Sequence, residues 1–274
     1  MNDTNELHKH YIHYQKQALA DTIQNKILDE SVLDNVLKFH QKTTWQNLYN
    51  WRLERDVRSW LELVEHMDIL PMYYEERVNL NVFREHIPTS RSHREFKENW
   101  IISKECIGDI LYKAFGRYEG GNSKEYPSAG ALYPVIPLLY VFDENVVKNQ
   151  IKPGCYVLDS YQMDLLLIQS FSQSYVKKLI SDGLFIDSLP SKLAIGYAVD
   201  FKRAITKYRE RGYRHSLIEV GLASQSFRHA LPQEFGDYCF SGFNDNAFTK
   251  LSGLSPRLAP IMMLQWFGEK KDVI

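Results

Sequence analysis

Three short segments of the chain combine residue types that can do chemistry. The first reads KYRERGYR, Lys207 to Arg214. Lys207 and Tyr208 are adjacent proton-transfer groups, and Arg209, Arg211 and Arg214 add positive charge around them. A free lysine titrates near about 10.4 and is protonated at neutral pH. It works as a general base only where burial or neighbouring cations lower that value. The same residues also suit an exposed basic helix face. The second segment is TSRSHREF, Thr89 to Phe96. Arg91, Ser92 and Arg94 offer two guanidinium forks and a hydroxyl, a set suited to a phosphate or, more simply, to a solvated surface. The third is PSAGALYP, Pro127 to Pro134, where Ser128, Ala129 and Gly130 are small enough for backbone N–H groups to approach a flat or anionic ligand. Alone, it is a tight turn between a helix and a strand.

These segments must be positioned by regular elements, and from about residue 86 helical and strand patterns alternate, as in an α+β or α/β layer structure. Ser103 caps a helix with an apolar face of Ile107, Ile110, Leu111 and Ala114, ended by Gly116. The run VIPLLYVFD (135–143) is β-rich, with Pro137 confining it to an edge, a bulge or its opening residues. GCYVLD and KLAIGYAVD suggest a second strand pair, the latter half buried. Residues 201–232 predict a short helix, a break at Gly212 and a longer helix stopped by Pro232. Leu217, Ile218, Gly221, Leu222 and Gln225 share one face of the longer helix, and Gly221, Ala223 and Ser224 permit close approach of another element, as in a central or dimer-interface helix. DYCFSGF predicts a strand entering a turn, NDNAFTKLSGL a capped helix, and LAPIMMLQWFG a final buried strand. Residues 1–85 read as a charged helical N-terminal extension, with Leu19, Ile23, Ile27 and Leu28 at helical spacing, then Trp45, Leu48, Tyr49, Trp51, Trp60, Leu61, Leu63 and Val64. The remainder, 86–274, is expected to form the ligand-binding domain.

Composition excludes several classes. Among 274 residues, 33 Lys and Arg nearly balance 34 Asp and Glu, leaving a net charge of -1. No global field is available for nucleic acid or an anionic membrane, so an anion site must be local. No stretch approaches the ~20 apolar residues of a membrane span, and the start MNDTNELHKHYIH lacks a signal-peptide core, which predicts a soluble cytoplasmic protein. Cys106, Cys155 and Cys239 are widely spaced, as for buried thiols in a reducing compartment. His8, His10 and His13 read as a solvated, frayed terminus, and no metal is expected.

Taken together, the three segments resemble the flavin-dependent azoline dehydrogenases of thiazole/oxazole-modified microcin and streptolysin S-type biosynthesis, a branch of the nitroreductase superfamily. PSAGALYP resembles that branch's loop over the flavin, KYRERGYRHSLIEVG its catalytic segment, and SGFND the turn presenting backbone to the isoalloxazine. The likeness covers roughly residues 86–268, with the motifs in the family's order, and the spacing is nearest the microcin type. It implies an α+β nitroreductase-like fold, a mostly antiparallel central sheet flanked by helices, and a homodimer with FMN at the interface. It further implies Lys207 and Tyr208 as the catalytic pair, and Arg91, Ser92 and Arg94 at the FMN phosphate and ribityl chain. Pro127, Ser128, Ala129, Gly130 and Leu132 would lie along the flavin ring, Arg211 and Arg214 would contribute from the catalytic segment, and Ser241 and Gly242 would supply backbone near the hydride-accepting nitrogen. Many nitroreductases add a basic pair near the last strand for the phosphate. Here Arg257, or Lys270 and Lys271, are the candidates.

The implied substrate is a heterocyclised precursor peptide, whose thiazolines or oxazolines become thiazoles or oxazoles. The implied companions are a cyclodehydratase and a peptide-recognition subunit. Reoxidation of the flavin is expected from oxygen, because no Gly-rich dinucleotide fingerprint follows a strand. Two rival readings are an NAD(P)H-dependent nitro- or flavin reductase on the same fold and a flavin-bearing scaffold subunit of a peptide-modifying synthetase.

Overall fold

The computed structural model describes residues 2–46, 55–64, 68–70, 72–73, 75–78, 92–117, 123–148 and 150–271, with residues 2–13 as backbone only. Contacts divide the chain into one unit made of 1–46 and 92–274, and another of 47–91. The first part of the expected extension is therefore joined to the ligand-binding unit. In the smaller unit, α3 (Arg55–Val64) is helical as expected, while Leu48, Tyr49 and Trp51 lie outside the described residues.

The larger unit is built on β1 (Val135–Val141), β2 (Gly154–Asp159), β3 (Asp164–Ser170), β4 (Leu193–Val199), β5 (Phe235–Phe240) and β6 (Ile261–Glu269), ordered β3-β2-β1-β4-β6-β5. Every pairing is antiparallel. Branched and aromatic residues fill the central strands, as a pleated, buried surface favours. β1 is central rather than an edge. Pro137, the third residue of β1, is tolerated there because it pairs with Tyr197 of β4 but precedes the register with β2, which starts only at Leu138. The expected pairing of GCYVLD with KLAIGYAVD does not form, since β1 lies between β2 and β4. Nor is β4 half buried. All seven of its residues are buried, because both faces of the sheet are covered.

One face carries Leu139, Val141, Ile195, Tyr197 and Val199 against α4 (Lys104–Phe115), α6 (Phe201–Tyr208) and α7 (Glu210–Ala230). Val32, Val36 and Leu37 of α2 (Glu30–Thr43) join this cluster, seating the N-terminal helices on it. The other face carries Leu138, Tyr140, Ala194 and Trp266 against α5 (Gln173–Lys178) and α8 (Asp245–Leu251). Ser103 and Asn244 cap α4 and α8 as their sequences foretell, each accepting from a backbone N–H. α1 (Asn2–Ile27) is continuous through His8, His10 and His13, so that terminus is helical rather than frayed; its Leu19, Ile23 and Ile27 are exposed.

The helix break falls at Arg209, with φ 51°, and not at Gly212. Gly212 lies in the first turn of α7, where a Cβ would sit 2.2 Å from the Ala204 carbonyl oxygen. Its missing side chain permits α6 and α7 to cross closely. A buried network ties α7 to the sheet: Arg228 donates to both carboxylate oxygens of Asp237 at 2.8–3.1 Å, Gln265 donates to Asp237 at 2.6 Å, and Tyr197 donates to Gln265. Cys155 is buried and Cys106 half-buried, but Cys239 is exposed, contrary to the expectation of buried thiols, because β5 is an edge strand.

Candidate active site

Lys207 and Tyr208 end α6, directly before the left-handed residue Arg209. The loop 128–133 lies over them. A Cβ built on Gly130 would be 2.6 Å from Lys207 Nζ and 2.6 Å from Tyr208 Oη, so only a glycine admits this approach. Gly130, Ala131 and Tyr133 have φ of 62°, 56° and 48°. The left-handed region costs a non-glycine residue about 1–2 kcal/mol, so the loop conformation must be held by its surroundings. It is held at several points. Ser128 Oγ donates to Glu219 at 2.5 Å and accepts from Tyr133 N at 2.8 Å; Arg203 Nε donates to the Leu132 carbonyl at 2.5 Å; Lys124 N donates to Tyr133 Oη at 3.0 Å.

Lys207 is exposed in the protomer. The arginines of its segment also do not form one cluster. Arg209 pairs with Asp29 at 3.1 Å, Arg211 is exposed on α7, and Arg214 lines a groove with Phe39, Tyr213 and Leu217. Tyr208 is oriented by His215, whose ring meets it edge-on at 4.8 Å. Lys124 is 8% exposed, and desolvation brings its pKa down to about 8, with the charge of Arg117 acting the same way. Lys124 and Lys207 both line a cavity of about 720 Å³ with Arg117, Tyr133, Tyr161 and Arg203. Arg117 sits over the rings of Tyr133 and Tyr161 at 4.8 and 4.4 Å.

Arg91 lies outside the described residues. Ser92 to Phe96 runs against the sheet edge: His93 N donates to the Asp237 carbonyl at 2.9 Å, Phe96 bridges to Lys270, and a Cβ on Gly236 would sit 2.7 Å from the His93 side chain. Arg94 is near enough to Tyr238 that its charge draws down a phenol raised by burial. Lys271 N donates to the Glu95 carbonyl at 3.4 Å. Of the alternatives for a second basic group, Lys270 and Lys271 thus lie beside Arg94, whereas Arg257 pairs with Asp34 on α2 at 3.5 Å. Ser241 and Gly242 follow β5 directly. From Tyr238 to Ser241 is three residues, a span of about 10 Å in extended chain. Gly242 accepts from Phe185 N at 3.0 Å, which fixes the turn.

The residues suit a flavin in two respects: the small-residue loop at Gly130 abuts the Lys207 and Tyr208 pair, and Arg94, Lys270 and Lys271, the last paired with Glu95 at 4.0 Å, lie alongside β5, which leads to the Ser241 turn. Sequence reading missed Glu219, Lys124 and Arg203. Glu219 was discoverable as the one acid at a buried position in the series Ser216, Val220, Ala223, Phe227 of α7.

No protein-family model matches the chain. The microcin B17-processing protein McbC of Escherichia coli is 27% identical over 194 residues, 70% of each chain. A protein assigned as a nitroreductase in Methanocaldococcus jannaschii is 26% identical over 162 residues, covering 59% of this chain and 79% of that one. Among solved structures, a chain of the E. coli microcin synthetase McbBCD complex with truncated pro-MccB17 bound superposes with a TM-score of 0.77 at 25% identity, over 91% of this chain and 97% of its own. These likenesses fit the six-stranded antiparallel sheet and its flanking helices. The chain is an oxidoreductase of nitroreductase-like fold, similar over most of its length to the microcin B17-processing protein.

Proposed function

We propose that this chain is an FMN-dependent dehydrogenase that oxidises thiazolines and oxazolines of a heterocyclised precursor peptide to thiazoles and oxazoles, maturing a ribosomally made antibiotic or toxin. The seating of Gly130 on the Lys207 amine and the Tyr208 hydroxyl carries the reading, because it brings a ligand-approach loop onto a proton-transfer pair. FMN, when bound, supplies the hydride acceptor. Its phosphate falls to Arg91, Ser92 and Arg94, with Lys270 and Lys271 as the added cations. Pro127, Ser128, Ala129, Gly130 and Leu132 line its ring, Ser241 and Gly242 offer it backbone, and Arg211 and Arg214 contribute from α7.

Lys207 takes the proton from one ring carbon of the azoline while a hydride leaves the neighbouring carbon, and the remaining electron pair closes the ring double bond. Tyr208, held edge-on by His215, orients the ring. Aromatisation drives the step. The exposed apolar face of α7, Leu217, Ile218 and Leu222 around Gly221, supports a homodimer. The likeness to a chain of a synthetase complex supports action beside a cyclodehydratase and a peptide-recognition subunit, in the cytoplasm. Among the described residues, no helix is long and apolar enough to cross a membrane.

The test is Lys207→Ala. A general base contributes roughly 10²–10⁴-fold, so the variant should purify with native flavin content and lose turnover on that scale. Native turnover would remove Lys207 from the mechanism.

A further inference from the structure

We propose that Glu219 is a positioning residue for Lys207 and Tyr208, acting through Ser128 to hold the left-handed loop 128–133 over the amine and the phenol. The inference rests on the reading of Lys207 and Tyr208 given above.

Glu219 is 2% exposed, in the middle of a helix whose other buried positions are small or apolar. A carboxylate there is costly unless it is hydrogen-bonded and has a countercharge. Its Oε2 accepts from Ser128 Oγ at 2.5 Å and the charges of Lys124 and Arg203 act on it, while Oε1 is buried with no hydrogen-bond partner among the described residues, which makes the Ser128 bond the one that holds the carboxylate. Burial raises its carboxyl above the ordinary value, while these partners draw it back down.

The geometry gives this cluster a purpose beyond holding α7 in place. Ser128 is a two-way connector, donating to Glu219 and accepting from Tyr133 N at 2.8 Å, so it closes the loop on itself while anchoring it. Within that closure Gly130 and Ala131 have positive φ, as does Tyr133 that ends it, while Leu132 is right-handed at φ −76°. Two of the groups that fix the loop, Lys124 and Arg203, are also those whose charge acts on Glu219. The atom at the apex of the loop, Gly130 Cα, is the one packed on Lys207 Nζ and Tyr208 Oη. Releasing Ser128 would let the loop relax out of its left-handed conformation and withdraw the surface that fixes the reactive amine. Glu219 reaches Lys207 and Tyr208 only through Ser128 and the loop it anchors, so its effect is on placement.

The experiment measures kcat per bound flavin and KM on a heterocyclised peptide for Glu219→Leu, Glu219→Gln and Lys207→Ala. A misplacement near 1 Å costs about 10²-fold. Glu219→Leu, which offers Ser128 no acceptor, should lose about 10- to 100-fold in kcat with KM little changed. Glu219→Gln keeps a carbonyl for Ser128 and should recover most of that loss. A merely structural role would lower the melting temperature and leave kcat per flavin native in all folded molecules, and that result overturns the proposal. Should Glu219→Leu not fold, Ser128→Ala removes the same bond while keeping the carboxylate, and native kcat per flavin in that variant overturns it equally. Lys207→Ala separates the two levels. If it turns over normally, the assignment of the catalytic pair fails and the positioning role with it; if it is inactive while Glu219→Leu is native, only the positioning role fails.

Discussion

Gly130→Ala adds one methyl group where the loop 128–133 meets the proposed catalytic pair Lys207 and Tyr208. The new Cβ would lie 2.6 Å from both Lys207 Nζ and Tyr208 Oη, where ordinary contact begins near 3.4 Å. One or both groups must retreat by about 0.8 Å, since carbon does not tolerate such overlap. The lysine tail swings away at little cost; the Tyr208 ring, held edge-on by His215, does not. Alanine at φ 62° adds about 1–2 kcal/mol of backbone strain. For a chain of this size that lowers the melting temperature by only roughly 2–8 °C. The functional loss should be far larger, about 10²-fold in kcat, because the displaced atom is the proposed base. Turnover on a heterocyclised peptide, normalised to bound flavin, checks this beside a thermal melt. Gly130→Ala combined with Lys207→Ala should be no worse than Lys207→Ala alone, since both act on one amine. Native kcat in Gly130→Ala, or fully additive losses, would refute the convergence of the two segments on one reaction.

Arg94→Ala should weaken FMN binding roughly 10- to 100-fold, the scale of one charge-assisted hydrogen bond; unchanged flavin content after dialysis would contradict it. Ile218→Arg, at a position 56% exposed in the protomer, places like charges in a two-fold interface, and gel filtration should report a monomer; a persisting dimer would move the interface off α7. His40, buried between α2, Phe201 and Tyr213, has its pKa brought from 6.5 down to about 4 by desolvation. Between those values the unfolded chain binds more protons, so stability rises with pH there and is lost as pH falls through 6.5 toward 4. From pH 7.5 to 5 the loss is about 2 kcal/mol, and urea unfolding of His40→Gln should lack that increment; parallel pH profiles would show that His40 titrates normally.

The buried strands were legible because their side chains satisfy a period or a continuous apolar run: β1, β4 and β6 all carried that signal. β3 did not, since its run Leu165 to Ile168 sits on an edge strand with Leu166, Leu167 and Ile168 exposed, leaving no alternation to follow. Gly212 was legible as a special position but not for its reason, which is the carbonyl of Ala204 on the preceding helix. The candidate motifs were legible only when their residue types and order were taken together, since each alone fits a turn or a solvated surface. Their convergence was not legible, because the contact of Gly130 with Lys207 and Tyr208 depends on how β1, α6 and α7 pack. Lys124 was illegible for a related cause: a lone charge reads as surface until tertiary contacts bury it.

The central claim is that the chain removes a proton and a hydride from a peptide azoline, with FMN as acceptor. Its most direct measurement is the absorbance spectrum of the purified, flavin-loaded protein, mixed without oxygen first with NAD(P)H and then with a heterocyclised precursor peptide. The account expects a flavin spectrum untouched by the nucleotide, bleached by the peptide, with the peptide losing a pair of hydrogens per ring oxidised. Protein that takes up no flavin, or flavin reduced by NAD(P)H and unaffected by the azoline, would contradict it.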